Sequence, residues 1–172
     1  MKTSILALIA TAALATIARA ESTVKLSNVH LCCPSCVKGV EKALAKGNRV
    51  TAVCDKDAGT VTLTAADKDA LQGGVDALVA AGYFGKSGSA DISLKDTSGA
   101  KDGKVASLKV NDVHLCCDKC VTAVTKALGK VKGVTGNTAE KKVTSFEVTG
   151  DFNPKEVFAA LQAAGLTGKA AN

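Results

Sequence analysis

Hydrophobic and polar positions follow one pattern along the chain, and the pattern then starts again. Val24-Lys25-Leu26-Ser27 alternates apolar and polar like a strand with one buried face. From Pro34 the period changes: Val37, Val40 and Leu44 recur at helical spacing, Lys38, Glu41, Lys42 and Lys46 take the other side, and Gly47-Asn48 stops the helix. Pro34 suits a first helical turn, where its missing N–H would have had no partner. Val50 to Asp55 and Thr60 to Thr64 are short β-branched runs joined by Lys56-Asp57-Ala58-Gly59, which reads as a hairpin. Leu71, Val75, Leu78 and Val79 mark one side of a second helix from about Asp67 to Ala81, with Gly82 as its stop. Gly73-Gly74 weakens the helical pattern in its first half. Asp91-Ile92-Ser93-Leu94 supplies a last strand. Strand, helix, strand, strand, helix, strand is the α+β, ferredoxin-like (βαββαβ) order.

Residues 95–104 are rich in Gly, Ser, Asp and Lys and offer almost nothing to bury, so they read as a linker. Beyond it Leu108 and Val110 stand for Val24 and Leu26, and Val121, Val124 and Leu128 for Val37, Val40 and Leu44, each 84 positions on. Val143 to Val148 reads as a strand, and Asn153-Pro154 opens a helix with Val157, Phe158 and Leu161 on its apolar face, ending at Gly165. The expected organisation is therefore two tandem units, 21–94 and 105–172. Only seven residues follow Gly165, so the second unit is expected to lack or shorten its last strand and leave a sheet edge open.

The first twenty residues read as a signal peptide: Lys2, an apolar run from Ile5 to Ile17, and Ala18-Arg19-Ala20 before a cut after Ala20. That run is shorter than the roughly 20 apolar residues a spanning helix needs, so a periplasmic or secreted protein without stable membrane insertion is expected. Losing Lys2 and Arg19 lowers the formal charge from +6 to +4. The excess is dispersed lysine, with one Tyr, four Phe and no Trp to stack on bases, which argues against nucleic acid. Lys42, Lys46, Lys126, Lys130 and Lys132 read first as solvated helix surface and second as a docking face for an acidic partner.

Chemistry concentrates in a heptapeptide that occurs twice, His30-Leu31-Cys32-Cys33-Pro34-Ser35-Cys36 and His114-Leu115-Cys116-Cys117-Asp118-Lys119-Cys120. Six of the seven cysteines and both histidines lie there. Exported chains usually spend cysteines on disulfides, but an odd count in two tight knots cannot staple distant loops, and short loops add little stability. Soft thiolates bunched this closely point to metal capture. Cys54, alone between the knots, reads as a small strand residue.

The strand, the Cys-x-x-Cys loop, the helix beginning inside that motif and the closing Ala81-Gly82-Tyr83 together resemble the heavy-metal-associated domain. This is the module of copper chaperones, of metal-pump amino-terminal domains and of the periplasmic mercury-binding protein. The resemblance covers both repeats and implies ligand pairs Cys33 with Cys36, and Cys117 with Cys120. One thiol of each pair lies in the loop and the other in the first helical turn, where unpaired N–H groups favour thiolate. Two or three sulfurs suit Cu(I) or Hg(II); Zn(II), which normally takes four ligands, is the lesser candidate. The implied partners are the metal ion and a membrane metal transporter or another metal-binding domain.

Departures from the family fall inside the heptapeptide. His30-Leu31 and His114-Leu115 replace Gly-Met, with Leu31 and Leu115 able to keep the packing role. Cys32 and Cys116 replace a residue that is commonly Thr. A third thiol can complete a three-sulfur site or pair as a disulfide, whereas adjacent side chains tend to point apart, so both outcomes stay open. A lone histidine at a strand end is more often a hydrogen-bonded structural group than a ligand, but recurrence in both repeats keeps His30 and His114 as candidates.

Three functions compete. The leading one is a non-enzymatic carrier or scavenger of a soft ion with a Cys-x-x-Cys site in each repeat. An oxidoreductase would use Cys-Pro-Ser-Cys as a redox dithiol, but neither Pro34 nor Pro154 is placed as the proline loop opposite such a dithiol. A structural reading has both clusters sharing one zinc.

Overall fold

The computed structural model describes residues 21–45 and 49–171, so the expected signal peptide and the Gly47-Asn48 stop lie outside the described residues. The first repeat forms β1 (Ser22–Ser27), α1 (Pro34–Leu44), β2 (Thr51–Asp55), β3 (Thr60–Ala65), α2 (Lys68–Ala80) and β4 (Lys86–Ser87). The second forms β5 (Val105–Asn111), α3 (Asp118–Leu128), β6 (Val134–Asn137), β7 (Ser145–Phe152), α4 (Pro154–Ala163) and β8 (Lys169–Ala170). Each repeat makes its own four-stranded antiparallel sheet, ordered β2-β3-β1-β4 and β6-β7-β5-β8, which is the ferredoxin-like order.

Register explains the alternation read from the sequence. Val24 lies opposite Leu63 and Leu26 opposite Val61, and all four are buried on one face of the sheet. In the second repeat Leu108 meets Val148 and Val110 meets Phe146. The helices cover these faces. α1 buries Cys36, Val40, Ala43 and Leu44, and α3 buries the residues 84 positions on, Cys120, Val124, Ala127 and Leu128. Val37 and Val121 are only half-buried, so the apolar face is turned by one residue from the expected one. Cys36 and Cys120 each have 0 % exposure and pack as core.

In α2 the side chain of Asp67 accepts from the Ala70 N–H at the N-cap, and in α4 Asn153 does the same for Lys155 ahead of Pro154. Gly74, which weakens the helical pattern in the sequence, serves packing: an added Cβ would stand 3.1 Å from both methyls of Val50. Glycine there lets the helix settle onto the start of the hairpin.

The last strands differ from expectation. Asp91–Leu94 is not a strand; Ile92 is buried, and the Ser93 N–H and carbonyl bond the side-chain amide of Gln72 on α2. The true closing strand follows the stop glycine directly, with Leu26 opposite Ser87 and Ser27 opposite Lys86. β8 is rudimentary, as expected, but β4 is equally short, so the expected contrast between repeats is absent and the second sheet has its fourth strand. Its edge is not open either: the Ala170 N–H donates to the Ser98 carbonyl at 2.8 Å, and Ser98 is buried. The 95–104 segment therefore does bury part of itself, along that edge. β6 lies where the sequence reading placed no strand.

The repeats meet through matching loops. Asn28 and Asp112, 84 residues apart, both adopt left-handed backbone (φ 57° and 56°), a conformation Asn and Asp tolerate. The loop after Asn28 rests on Gly165, where the His30 N–H donates to the Gly165 carbonyl at 3.2 Å. The loop after Asp112 rests on Gly82 in the same way: an added Cβ there would stand 2.6 Å from the His114 nitrogen. The Thr167 N–H donates to the Gly82 carbonyl at 3.0 Å, the Phe84 N–H to the Gly165 carbonyl at 3.1 Å, and Tyr83 bridges to Leu166. The result is an approximate two-fold contact within one chain.

Gly82 and Gly165 both have positive φ (87° and 79°), and a methyl on either would strike backbone of the other repeat. Gly82→Ala and Gly165→Ala are each expected to cost about 1–3 kcal/mol, with similar size because the contact is reciprocal. Urea unfolding midpoints check the cost, and amide exchange at His30 and Thr167 checks that the docking surface is what loosens.

Candidate metal centre

Each heptapeptide passes from an extended loop into a helix. Cys33 and Cys117 are the N-cap residues of α1 and α3, with φ,ψ of −161°, 167° and −155°, 173°, and neither caps the helix in the usual side-chain manner. Cys36 and Cys120 follow in the first turn, held inward by the core packing of that helix face. Because the repeats dock loop to turn, the two N-termini and their thiols face one another.

Six sulfurs come together as a result. Cys32 Sγ lies 3.6 Å from Cys36, 3.4 Å from Cys117 and 3.5 Å from Cys120. Cys116 Sγ lies 3.4 Å from Cys33, 3.4 Å from Cys36 and 3.6 Å from Cys120. Cys33 and Cys36 are 3.8 Å apart. Two four-sulfur groups result, Cys32, Cys33, Cys36 and Cys116, and Cys32, Cys116, Cys117 and Cys120, with the sulfurs of each group all within 4.8 Å of one another. The two motifs, expected as separate sites, are one assembly. Within each repeat the third thiol also lies near its own pair, Cys32 beside Cys36 and Cys116 beside Cys120.

Neither histidine belongs to these groups. Both Nε2 atoms are buried without a hydrogen-bond partner, and burial lowers the pKa of His30. The His114 ring lies against Tyr83, centroids 4.7 Å apart, across the contact between repeats. The hydroxyl of Tyr83 donates to the Cys36 carbonyl at 2.8 Å, tying the first turn of α1 to the turn after α2. Gly39 makes room for this: an added Cβ would collide with the tyrosine hydroxyl and stand 2.9 Å from His114 Cε1. In the second repeat Leu166 takes the place of Tyr83, and Ala123 the place of Gly39. Tyr83, Gly39 and Gly165 are supporting residues whose part the sequence did not reveal: Gly82 and Gly165 read as helix stops, and Ala81-Gly82-Tyr83 as a family feature, with no sign of a contact between repeats.

The electrostatics are uneven. At Cys33 burial pushes the thiol up, but bonds from the Cys36 N–H, the Cys116 thiol and the Ser35 N–H outweigh it and hold the pKa below the ordinary value. At Cys32 burial dominates and pushes the pKa up to about 12, and burial also raises Cys116. Cys36 is raised by the neighbouring Cys120 thiol and by burial, against a lowering contact from His114. Asp118, which adds negative charge to the second motif only, pairs with Lys141 at 3.2 Å. A groove of about 540 Å³ lined by Cys32, Cys33, Pro34, Lys56 and Lys119 among others opens beside the sulfurs. Cys54 is half-buried on β2, its thiol raised by burial and by Glu41, and takes no part.

No family model and no curated protein matches the chain. Among solved structures it is similar to the apo form of the HMA domain of copper chaperone for superoxide dismutase, with 27% identity, 51% of this chain and 86% of that chain covered, and a TM-score of 0.35. The N-terminal soluble domains of Bacillus subtilis CopA match at 16% identity over 89% of this chain and 95% of that one, with a TM-score of 0.30. The first two RRM domains of yeast poly(U) binding protein Pub1 match at 12% identity over 87% and 98%, with a TM-score of 0.26. These likenesses are too distant to assign a role.

Because the thiolate is the nucleophile, reduced metal-free protein at neutral pH is expected to be alkylated at Cys33 ahead of Cys32 and Cys36. Timed iodoacetamide labelling with peptide mapping checks the order, and equal rates at the three positions would contradict the electrostatics described.

Proposed function

We propose that this protein is an exported carrier or scavenger of a soft metal ion of the Cu(I) or Hg(II) type, held by the Cys-x-x-Cys thiolates of both repeats. One observation carries the reading: six thiols converge at 3.4–3.8 Å from their neighbours, and among the described residues both groups they form are made of cysteine alone. An all-sulfur donor set selects soft ions over Mg(II) or Ca(II). The helix N-termini add partial positive charge where thiolate charge must collect. The ion is cargo here, taken up and released by exchange of thiolates. Its giver or receiver is a membrane metal transporter or another metal-binding domain, and the work is binding rather than catalysis. The apolar leader of residues 1–20 supports the periplasm or the exterior as the place, with the cut after Ala20.

A second reading has its own observation. Each group offers four sulfurs, the number zinc takes in structural sites. Under that reading chelation unfolds the chain.

Anaerobically reduced protein is expected to retain near-stoichiometric Cu(I) or Hg(II) after desalting, measured by elemental mass spectrometry. Uptake is expected to fall to background in the C33S/C36S/C117S/C120S variant. Failure of the parent chain to retain either ion would sink the reading; zinc retention together with loss of the circular dichroism signal on chelation would favour the second one.

A further inference from the structure

Building on the soft-metal reading, we propose that the two repeats jointly hold one cluster of at least two ions. In it Cys32 and Cys116 are bridging thiolates, and each Cys-x-x-Cys pair supplies terminal ligands to one ion. The cue is a count. Two separate four-sulfur sites need eight thiolates, and six are present; the two groups close because Cys32 and Cys116 belong to both. A thiolate keeps enough lone pairs to bind two ions, and a thiol that does so releases its proton to solvent.

Position supports the same assignment. Cys32 is 3.6 Å from Cys36 of its own repeat and 3.4 Å and 3.5 Å from Cys117 and Cys120 of the other. Cys116 mirrors this, 3.6 Å from Cys120 and 3.4 Å from both Cys33 and Cys36. A metal–sulfur bond of about 2.3 Å places two sulfurs of one tetrahedral ion about 3.8 Å apart. Contacts of 3.4–3.8 Å are thus near the spacing that a shared ion imposes. Sharing also limits buried negative charge, since two ions are served by six thiolates rather than eight. What charge remains faces the N-termini of α1 and α3, which begin at Pro34 and Asp118.

The repeat contact makes the bridge possible. Each bridging cysteine precedes the N-cap, in the loop that rests on the other repeat's glycine turn, so docking carries it across to the opposite pair. The cluster therefore fastens the repeats together, and the two pairs should fill as a unit.

The test titrates the reduced full chain with Cu(I) alone under anaerobic conditions, reading ion count by native mass spectrometry and metal–metal scattering by X-ray absorption. The expected result is two or more ions per chain, a one-ion form scarcely populated at half loading, and a metal–metal vector. C32S/C116S is expected to keep one ion in each Cys-x-x-Cys pair, filled independently, and to lose the metal–metal vector. Should that variant fold poorly, C32S alone and the parent chain's scattering decide. Saturation of the parent at one ion, absence of the vector, or loading of C32S/C116S identical to the parent overturns the shared cluster while leaving metal binding intact. No uptake by the parent overturns both.

Discussion

Everything near the sulfurs depends on how closely two backbones approach at Gly82 and Gly165. The carbonyls of these residues accept amide hydrogens from the other repeat, and each Cα lies where a methyl would meet a peptide nitrogen or carbonyl oxygen. The glycines set the separation, and the separation brings the N-terminus of α1 opposite that of α3. Hydrophobic burial fixes the other coordinate, since Cys36 and Cys120 sit on the helix faces that pack on the sheets. The thiol positions are therefore set by the core and the contact together, before any ion arrives. Such preorganisation lowers the ordering cost of binding.

Two nearly equivalent halves still differ in ways that matter chemically. Tyr83 ties its hydroxyl to the first turn of α1 and carries His114 on its ring, whereas Leu166 has no hydroxyl to give. Cys33 is held toward thiolate, while burial keeps Cys32 and Cys116 toward thiol. Cys33 also lines the groove that opens beside the sulfurs.

Most of the fold was legible because it rests on periodicities that survive repetition. Val24 and Leu26, Val40 and Leu44, and their partners 84 residues on declare strands and helices twice, and the order alone names the topology. What escaped had tertiary causes. Ile92 is apolar and flanked by polar residues like a strand residue, yet it is drawn under α2 by Gln72. β4 and β8 have only two residues each, too few for any period to register. Cys36 was weighed as a ligand, so its place on the buried helix face went unread and Val37 took it. At the site, all six cysteines were identifiable from spacing, but their meeting entered only as the shared-zinc alternative: two motifs 84 residues apart carry no local sign that a glycine turn in each repeat receives the other's loop.

The segment joining the repeats lies along the edge of the second sheet, held by the Ala170 amide on the Ser98 carbonyl. Two separate chains that met through the same loops would part on dilution, and their meeting would quicken with the square of concentration. One tethered chain obeys neither law: its halves see each other at a fixed effective concentration, so the six-sulfur arrangement forms as readily in a dilute compartment as in a crowded one. Where a second copy can be far away, joining the halves makes assembly a property of a single molecule.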